Sequence, residues 1–189
     1  MSQRPEGESL NPSVGEYQFA TANNPFLLEA GEELTSARLA YETYGTLNRE
    51  KDNAILVFHA LSGSQHAAGY RQSVSAQVDR LWTKECKTGW WDKFIGKDAV
   101  IDTSKYFVIC VNYLGGCYGS TGPDSINSDS EQRYMASFPW ISFVDIVRSQ
   151  MKLVESFEIK SLLAVVGPSL GGLLALTATM LYPEKVQRV

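Results

Sequence analysis

Histidine and cysteine are scarce in this 189-residue chain, which contains two of the first and three of the second. Cys86, Cys110 and Cys117 are too few and too irregularly spaced for a disulfide framework, and they lack the paired spacing of a zinc site. We therefore expect a reducing, cytoplasmic environment and no bound metal. His59 and His66 both lie in the first half of the chain, which restricts the catalytic mechanisms that the chain can support alone.

Long apolar runs and an excess of basic residues are absent as well. No segment approaches the ~18 to 20 consecutive apolar residues of a membrane span, and the polar N-terminus has no apolar core of the kind that a signal peptide needs. The formal net charge of -4, with acidic and basic residues interspersed, offers no basic stripe for a nucleic-acid backbone. We expect neither a membrane nor a nucleic-acid partner.

The composition, 44% hydrophobic and 20% charged, is that of a globular domain without repeats or low-complexity linkers. We expect residues 1–16 to form a flexible leader and residues 17–189 to form one domain. YQFATA (17–22) and ARLAYETYG (37–45) alternate enough to be strands, and the turn residues of the segment between them predict an antiparallel pair.

Three short unbroken apolar runs are typical of strands that are buried on both faces of a parallel sheet. They are AILVF (54–58), YFVICV (106–111) and LLAVV (162–166). Helical spacing over 143–157 predicts a helix with Ser142 and Asp145 as its capping box, and a second apolar helix after residue 169 should end at Pro183. The alternation of strands and helices predicts an α/β fold.

Residues 167–171, GPSLG, match the G-x-S-x-G pattern and lie between a predicted buried strand and a predicted helix. This context is typical of a nucleophilic serine on a sharp turn, where small flanking residues avoid collisions with the backbone. Ser169 is therefore the candidate nucleophile. The backbone amides of Leu170 and of Leu61, which follows the first buried strand, are the candidate oxyanion donors. A glycine-rich turn that only packs a helix on a strand is the alternative.

Other side chains that could carry chemistry have weaker patterns. His59, at a strand end, is more consistent with a packed or loop-orienting residue than with a general base, and His66 is freer but has no signature. Cys117 could be a nucleophile, but nothing nearby would lower its pKa, and we expect a small buried thiol. We expect Trp90 and Trp91 to pack a loop over the core. Tyr118, Ser120 and Thr121 either line a pocket or form a plain turn, and the sequence favours neither interpretation over the other.

Several segments together resemble the homoserine O-acetyltransferase family of α/β-hydrolase-fold acyltransferases. They are HALSGSQHAAG, GWWDKFIG, AVIDTSKYFVICVNYLGGCYGSTGPDSIN, FPWISFVDIVRSQ and VVGPSLGGLLAL, and the resemblance runs from about Asn24 to the end. It implies an α/β-hydrolase fold, with a mostly parallel sheet and flanking helices. It also implies acetyl transfer from acetyl-CoA to the hydroxyl of L-homoserine, a step toward methionine, through an acyl-serine on Ser169. The amides matching Leu61 and Leu170 would form the oxyanion hole.

The resemblance also implies parts that this chain lacks. The resemblance places the triad aspartate and histidine beyond residue 189. The arginine and aspartate that bind the amino acid in the family also come from that part. We therefore interpret the chain as the N-terminal half of such an enzyme, without the C-terminal strands and inactive alone, and we expect the full-length protein to be a homodimer. Acetyl-CoA would be a co-substrate, with no bound cofactor.

Some departures and alternatives accompany this resemblance. The family commonly reads GGSMGG at the elbow, where this chain has Pro168 and Leu170, and IGPGK where this chain has IGKDA; neither change removes a reacting group. Homoserine O-succinyltransferases and serine O-acyltransferases share the motifs. An α/β-hydrolase esterase and a truncated, non-catalytic binding module are the further alternatives.

Overall fold

The computed structural model describes residues 10–72 and 81–189. In chain order the strands are β1 (Ser13–Ala20), β2 (Phe26–Leu27), β3 (Glu33–Leu34), β4 (Ala37–Tyr44), β5 (Ala54–Val57), β6 (Ile95–Gly96), β7 (Ile101–Asp102), β8 (Phe107–Val111) and β9 (Ala164–Val166), and the helices are α1 (Phe143–Ser156) and α2 (Leu170–Leu181). The predicted strands and helices are all present, and two short two-stranded sheets, β2–β3 and β6–β7, occur in the connections.

The central sheet has five strands in the order β1-β4-β8-β5-β9. β5 pairs in parallel with β8 and with β9, whereas β4 is antiparallel to both β1 and β8. Only β4 therefore opposes the common direction of this sheet, which confirms the mostly parallel α/β-hydrolase architecture. The carboxyl ends of β5, β8 and β9 lie at one edge, where open α/β sheets place their ligand sites.

The start of the folded part lies earlier than the sequence predicted. β1 begins at Ser13, and Ser13 pairs with Thr43 while Glu16 pairs with Ala40. The prediction of a leader up to residue 16 therefore extends too far, because the exposed outer strand is polar at its first residues and has no apolar alternation there. Residues 1–9 of that leader lie outside the described part of the chain.

The two helices cover one face of the sheet. Buried residues of both helices join the main hydrophobic cluster, which also contains Leu39, Leu56 and Ile109 from the sheet. Ser142 caps α1 as predicted, because its hydroxyl accepts from the Asp145 amide while the Asp145 side chain accepts from the Ser142 backbone. Among residues 10–72 and 81–189, no helix has the length and apolar character needed to cross a membrane.

The opposite face of the sheet is covered by irregular chain. Its smaller cluster contains strand residues Ile55, Val57 and Val108 together with Ala67 and Ala68 from the segment after β5. Trp90 and Trp91 pack against this cluster, as the sequence predicted, and the Trp90 indole donates to the Ser64 carbonyl at 2.9 Å. The segment after β5 is therefore bonded to the underlying structure, and it leads directly into the candidate site.

Candidate active site

Ser169 lies on a sharp turn between β9 and α2. Its backbone has φ 53° and ψ -121°, a combination that non-glycine residues rarely adopt, and it is the N-terminal cap residue of α2. The side chain is exposed at the carboxyl edge of the sheet. This strained, outward-facing serine has the local geometry that the G-x-S-x-G pattern predicts.

The glycines on either side of Ser169 permit this turn. A Cβ atom on Gly167 would lie 2.6 Å from the carbonyl oxygens of Gly171 and Phe58, and one on Gly171 would collide with the Phe58 carbonyl. Any side chain at either position would push the turn away from the end of β5. The predicted reason for the small residues, avoidance of backbone collisions two positions from the serine, agrees with these distances.

The close contact between the elbow (residues 167–171) and the end of β5 brings the two candidate oxyanion donors to one cavity. The Phe58 amide donates to the Val166 carbonyl at 2.8 Å, which holds the two strand ends together. Leu61 and Leu170 both line a cavity of about 750 Å³. Within the described part of the chain, neither of their amides donates a hydrogen bond. Both N–H groups are thus free to bind a ligand oxygen, as the oxyanion role requires.

The rest of this cavity is shaped mainly by apolar and aromatic groups. Phe138 and Ile141 line it from the segment that leads into α1, and Ile146 lines it from the first turn of α1. Asn112 and Tyr113 line it from the carboxyl end of β8. The side chains of Leu61 and Trp140, which also line it, are 81% and 84% exposed. The cavity therefore opens to the surface beside the elbow and could admit a flexible acyl donor.

His59 is a packed residue, as the sequence predicted. Its ring stacks on Tyr113 with 3.7 Å between centroids, and its Nδ1 lies 2.7 Å from the Ala60 carbonyl, a contact that fits an Nδ1–H donor. Burial lowers the pKa of His59 to about 4, so the ring is neutral at physiological pH. Its Nε2 is buried without a hydrogen-bond partner among the described residues.

The expectation that His66 is freer than His59 is wrong. His66 is 1% exposed, its Nδ1 lies 2.8 Å from Glu42 Oε2, and its Nε2 lies 3.1 Å from the Lys87 carbonyl. The reason is the buried carboxylate of Glu42 on β4, which the sequence reading overlooked. With both ring nitrogens engaged, His66 cannot take a proton from Ser169 in this arrangement.

Comparison with known sequences decides the family. The family model described as "alpha/beta hydrolase fold" matches residues 53–189, well over half of the chain. The chain belongs to the α/β-hydrolase fold family. The nucleophile elbow, the cavity beside it and the predominantly parallel sheet are the features that members of an α/β-hydrolase family would share.

Within this α/β-hydrolase family, similar curated proteins support the resemblance seen in the sequence. A homoserine O-acetyltransferase of Methanohalobium evestigatum is 48% identical over 178 residues, which cover 93% of this chain and 34% of that protein. A homoserine O-succinyltransferase of Marinomonas sp. is 46% identical over 170 residues, covering 90% of this chain and 42% of that protein. The resemblance to homoserine acyltransferases is thus confirmed, and the chain spans less than half the length of these relatives.

A solved structure named as an acetyltransferase and one named as an esterase resemble this chain equally well. A homoserine O-acetyltransferase from Bacillus anthracis superposes with a TM-score of 0.79 at 36% identity, covering 93% of this chain and 45% of that one. Esterase E22 superposes with the same TM-score at 34% identity, covering 94% and 46%. The fold over the region that this chain shares with them therefore does not separate a transferase from an esterase.

Two further residues with reactive side chains, Cys117 and Tyr118, lie at the cavity. Cys117 is exposed rather than buried, because its glycine-rich loop leaves the thiol at the cavity surface; the partial burial of the thiol still raises its pKa. Tyr118 lines the same cavity, and burial raises the pKa of its hydroxyl to about 12. Neither group is activated as a nucleophile at neutral pH.

Ser120 and Thr121 combine both of the proposed alternatives. They line a second, more polar cavity of about 540 Å³. Their hydroxyls nevertheless hold the loop to β4, since Ser120 Oγ accepts from the Ala40 amide at 3.0 Å and Thr121 Oγ1 accepts from the Arg38 amide at 2.9 Å. Their contacts within the protein are therefore those of a loop anchor.

Proposed function

We propose that this chain is the nucleophile-bearing part of a homoserine O-acyltransferase, with acetyl-CoA as the acyl donor. The observation that carries the proposal is the strained elbow, which presents Ser169 beside a cavity lined by both Leu61 and Leu170. The identity of 46–48% to proteins named homoserine O-acyltransferases supports the choice of reaction within the family.

In this reaction, Ser169 Oγ attacks the thioester carbonyl of the donor, and a general base takes its proton. The carbonyl oxygen becomes an oxyanion that the amides of Leu61 and Leu170 stabilise, with support from the N-terminus of α2. The tetrahedral species collapses, the C–S bond breaks, and coenzyme A leaves with a proton. The homoserine hydroxyl then attacks the acyl-serine carbonyl and loses its proton to the base. The C–O bond to Ser169 Oγ breaks, the base returns the proton to Oγ, and O-acetylhomoserine leaves.

The base and its supporting acid belong, on this proposal, to sequence beyond Val189. Both ring nitrogens of His66 already have partners, and burial leaves His59 a weak base, with a pKa of about 4 and an enclosed Nε2. The proposal also includes a cytoplasmic homodimer, a co-substrate in place of a resident cofactor, and an acetyl rather than a succinyl donor. The choice of an acetyl donor has the smallest margin of support, since acetyltransferases and succinyltransferases have nearly the same sequence identity to this chain.

A second candidate is an esterase, which the equal structural similarity to esterase E22 favours. The two activities share the acyl-serine and differ in the molecule that removes the acyl group. Partitioning of the acyl-enzyme separates them: with homoserine present, a transferase forms O-acylhomoserine faster than acetate, whereas an esterase forms acetate at a rate that homoserine does not change.

The test incubates the full-length protein that carries this chain with acetyl-CoA alone, followed by mass spectrometry of the peptide containing Ser169. We expect one acetyl group on Ser169 and a stoichiometric release of coenzyme A, because the nucleophile accepts the acyl group before homoserine binds. Ser161→Ala, at a serine outside the site, is the matched control and should be acetylated normally.

The contrary results of this test are specific. Acetyl incorporation that persists in Ser169→Ala would remove Ser169 from the mechanism. Incorporation from succinyl-CoA at a much higher rate than from acetyl-CoA would retain the mechanism and change the donor to a succinyl thioester.

A further inference from the structure

A fully buried carboxylate lies beneath the segment that carries Leu61. Glu42, on β4, is 0% exposed. Its Oε2 accepts hydrogen bonds from the Tyr44 hydroxyl and from His66 Nδ1, both at 2.8 Å, and its Oε1 accepts from Arg71 Nη1 at 2.5 Å. Buried charges are retained where they are paired and hydrogen-bonded. This carboxylate has that arrangement and bonds to two residues of loop 59–72.

Tyr44 extends the reach of the carboxylate to the loop backbone. While its hydroxyl donates to Glu42, the same oxygen accepts from the amides of Ala67 at 2.8 Å and Ala68 at 3.1 Å. His66 adds a second link, because its Nε2 lies 3.1 Å from the Lys87 carbonyl. Residues 66–68 are therefore held by hydrogen bonds that converge on Glu42.

The position of Leu61 depends on the residues on either side of it and not on contacts of its own side chain. Its side chain is 81% exposed, so packing of that side chain does not determine where its amide points. The turn around Leu61 is anchored on one side where the Tyr113 hydroxyl donates to the His59 carbonyl, and closed by the Gly63 amide, which donates to the Ala60 carbonyl at 2.8 Å. The anchor on its other side begins with Ser64 and continues into residues 66–68.

We propose that Glu42 is a positioning residue for the oxyanion hole: through His66 and Tyr44 it holds loop 59–72 so that the Leu61 amide faces the reacting oxygen beside the Leu170 amide. This inference rests on the proposed function. Glu42 contacts neither the cavity nor Ser169 among the described contacts, and its effect is carried by the loop. A role in stability alone is the competing explanation.

The principal test measures Ser169 acylation in the full-length protein with the substitution Glu42→Gln. We expect the rate constant for acylation by acetyl-CoA or by p-nitrophenyl acetate to fall about 10- to 100-fold, since small displacements of a catalytic group have effects of this size. The KM values for acetyl-CoA and homoserine should change less than about twofold, because an interaction made only in the transition state affects kcat and not binding.

Asp102→Asn is the matched control for loss of a buried carboxylate. Asp102 is 6% exposed and accepts from the Ser104 hydroxyl at 2.7 Å, but it precedes β8, whose opposite, carboxyl end leads into the cavity. We expect Asp102→Asn to lower the unfolding midpoint and to leave the acylation rate constant within about twofold of the parent. Urea unfolding of each variant supplies the stability comparison.

Tyr44→Phe keeps the inference testable if Glu42→Gln does not fold. It removes only the hydroxyl that joins Glu42 to the amides of Ala67 and Ala68, and we expect a smaller decrease in the acylation rate constant, about 3- to 10-fold. Tyr41→Phe is its control, since Tyr41 lies on the same strand but packs against the opposite, main cluster.

The outcomes separate this inference from the proposed function. Glu42→Gln or Tyr44→Phe protein that is folded, less stable and acylated at the parent rate would overturn the positioning role and leave the proposed function intact. Absence of acylation at Ser169 in the parent protein would overturn the proposed function, and the inference with it. A decrease that appears equally in Asp102→Asn would assign the effect to stability and also overturn the positioning role.

Discussion

At the scale of single residues, the candidate nucleophile Ser169 has a strained backbone conformation. A non-glycine residue at φ 53° and ψ -121° costs on the order of 1–3 kcal/mol, and the surrounding structure must compensate for it. The compensation comes from β9, α2 and the contact with the end of β5. The strain therefore exposes the hydroxyl at the expense of stability, and relieving it should have a measurable effect.

We predict that Ser169→Gly is more stable than Ser169→Ala by about 1 kcal/mol, because only glycine adopts this backbone conformation without a steric penalty. Both variants lack the hydroxyl of the proposed nucleophile, so they differ from each other only at the backbone-sensitive Cβ. Urea unfolding measures the difference. At Thr177, inside α2, the same pair should show the opposite order, with alanine more stable by about 1 kcal/mol. Equal stability of the two Ser169 variants would mean that the turn carries no strain.

His59 makes the unfolding free energy of the protein depend on pH. Burial lowers the pKa of His59 from 6.5 to about 4. Between these two values the unfolded chain binds a proton that the folded chain does not, so the unfolding free energy decreases as the pH falls from about 7 to about 4. The contribution of this residue is about 3 kcal/mol at most.

The measurement is the pH dependence of urea unfolding for the full-length protein and its His59→Asn variant. We expect the difference in unfolding free energy between the two proteins to change between pH 7 and 4, in the direction of a relatively less stable parent at low pH. A difference that is constant across this range would contradict the buried, neutral state of His59.

At the scale of elements, local chemistry explains which parts of the fold the sequence predicted. The strands β5 and β8 are continuous apolar runs that are buried throughout, and β9 is a continuous apolar run that is buried at Val165. The start of α1 carries its own capping box, so each element is specified within a few residues. The elbow is predictable for the same reason, because strand, glycines, serine and helix are contiguous.

The long connections between elements were less predictable because their contacts join distant residues. Glu42 and His66 are 24 positions apart, and nothing near either residue indicates that they pair. A glutamate inside an apolar strand was the available signal, since a buried charge requires a partner. The prediction that the Cys117 thiol is buried was wrong for a related reason. A glycine-rich sequence predicts a turn, but it does not predict which side chains the turn leaves at the surface.

At the scale of the whole molecule, the sheet continues past β9. Leu162 forms a parallel bridge with Val186, and the Val165 amide donates to the Arg188 carbonyl at 2.9 Å. Residues 186–188 therefore make strand-like contacts alongside β9. The outer face of α2 also presents large apolar side chains, with Leu173, Leu176 and Met180 at 53%, 54% and 81% exposure. Surfaces of this kind ordinarily pack against further structure.

The last prediction concerns these 189 residues expressed alone: they should not catalyse acyl transfer. A serine hydroxyl is a weak nucleophile until a positioned imidazole takes its proton, and the family order places that histidine after the serine in the chain. The two histidines present both precede Ser169, and both are held in buried contacts. Oxyanion donors without the base leave about 10³- to 10⁴-fold acceleration over water, a small part of full activity.

The assay compares acetyl transfer to homoserine by the 189-residue chain, by its His59→Ala and His66→Ala variants, and by the full-length protein. Mixing the chain with the separately produced remainder of the full-length protein should restore part of the rate, because the remainder would supply the base and cover the exposed face of α2. A chain that alone approaches the full-length rate, and loses it on substitution of His59 or His66, would place the base upstream of Ser169 and refute a divided triad.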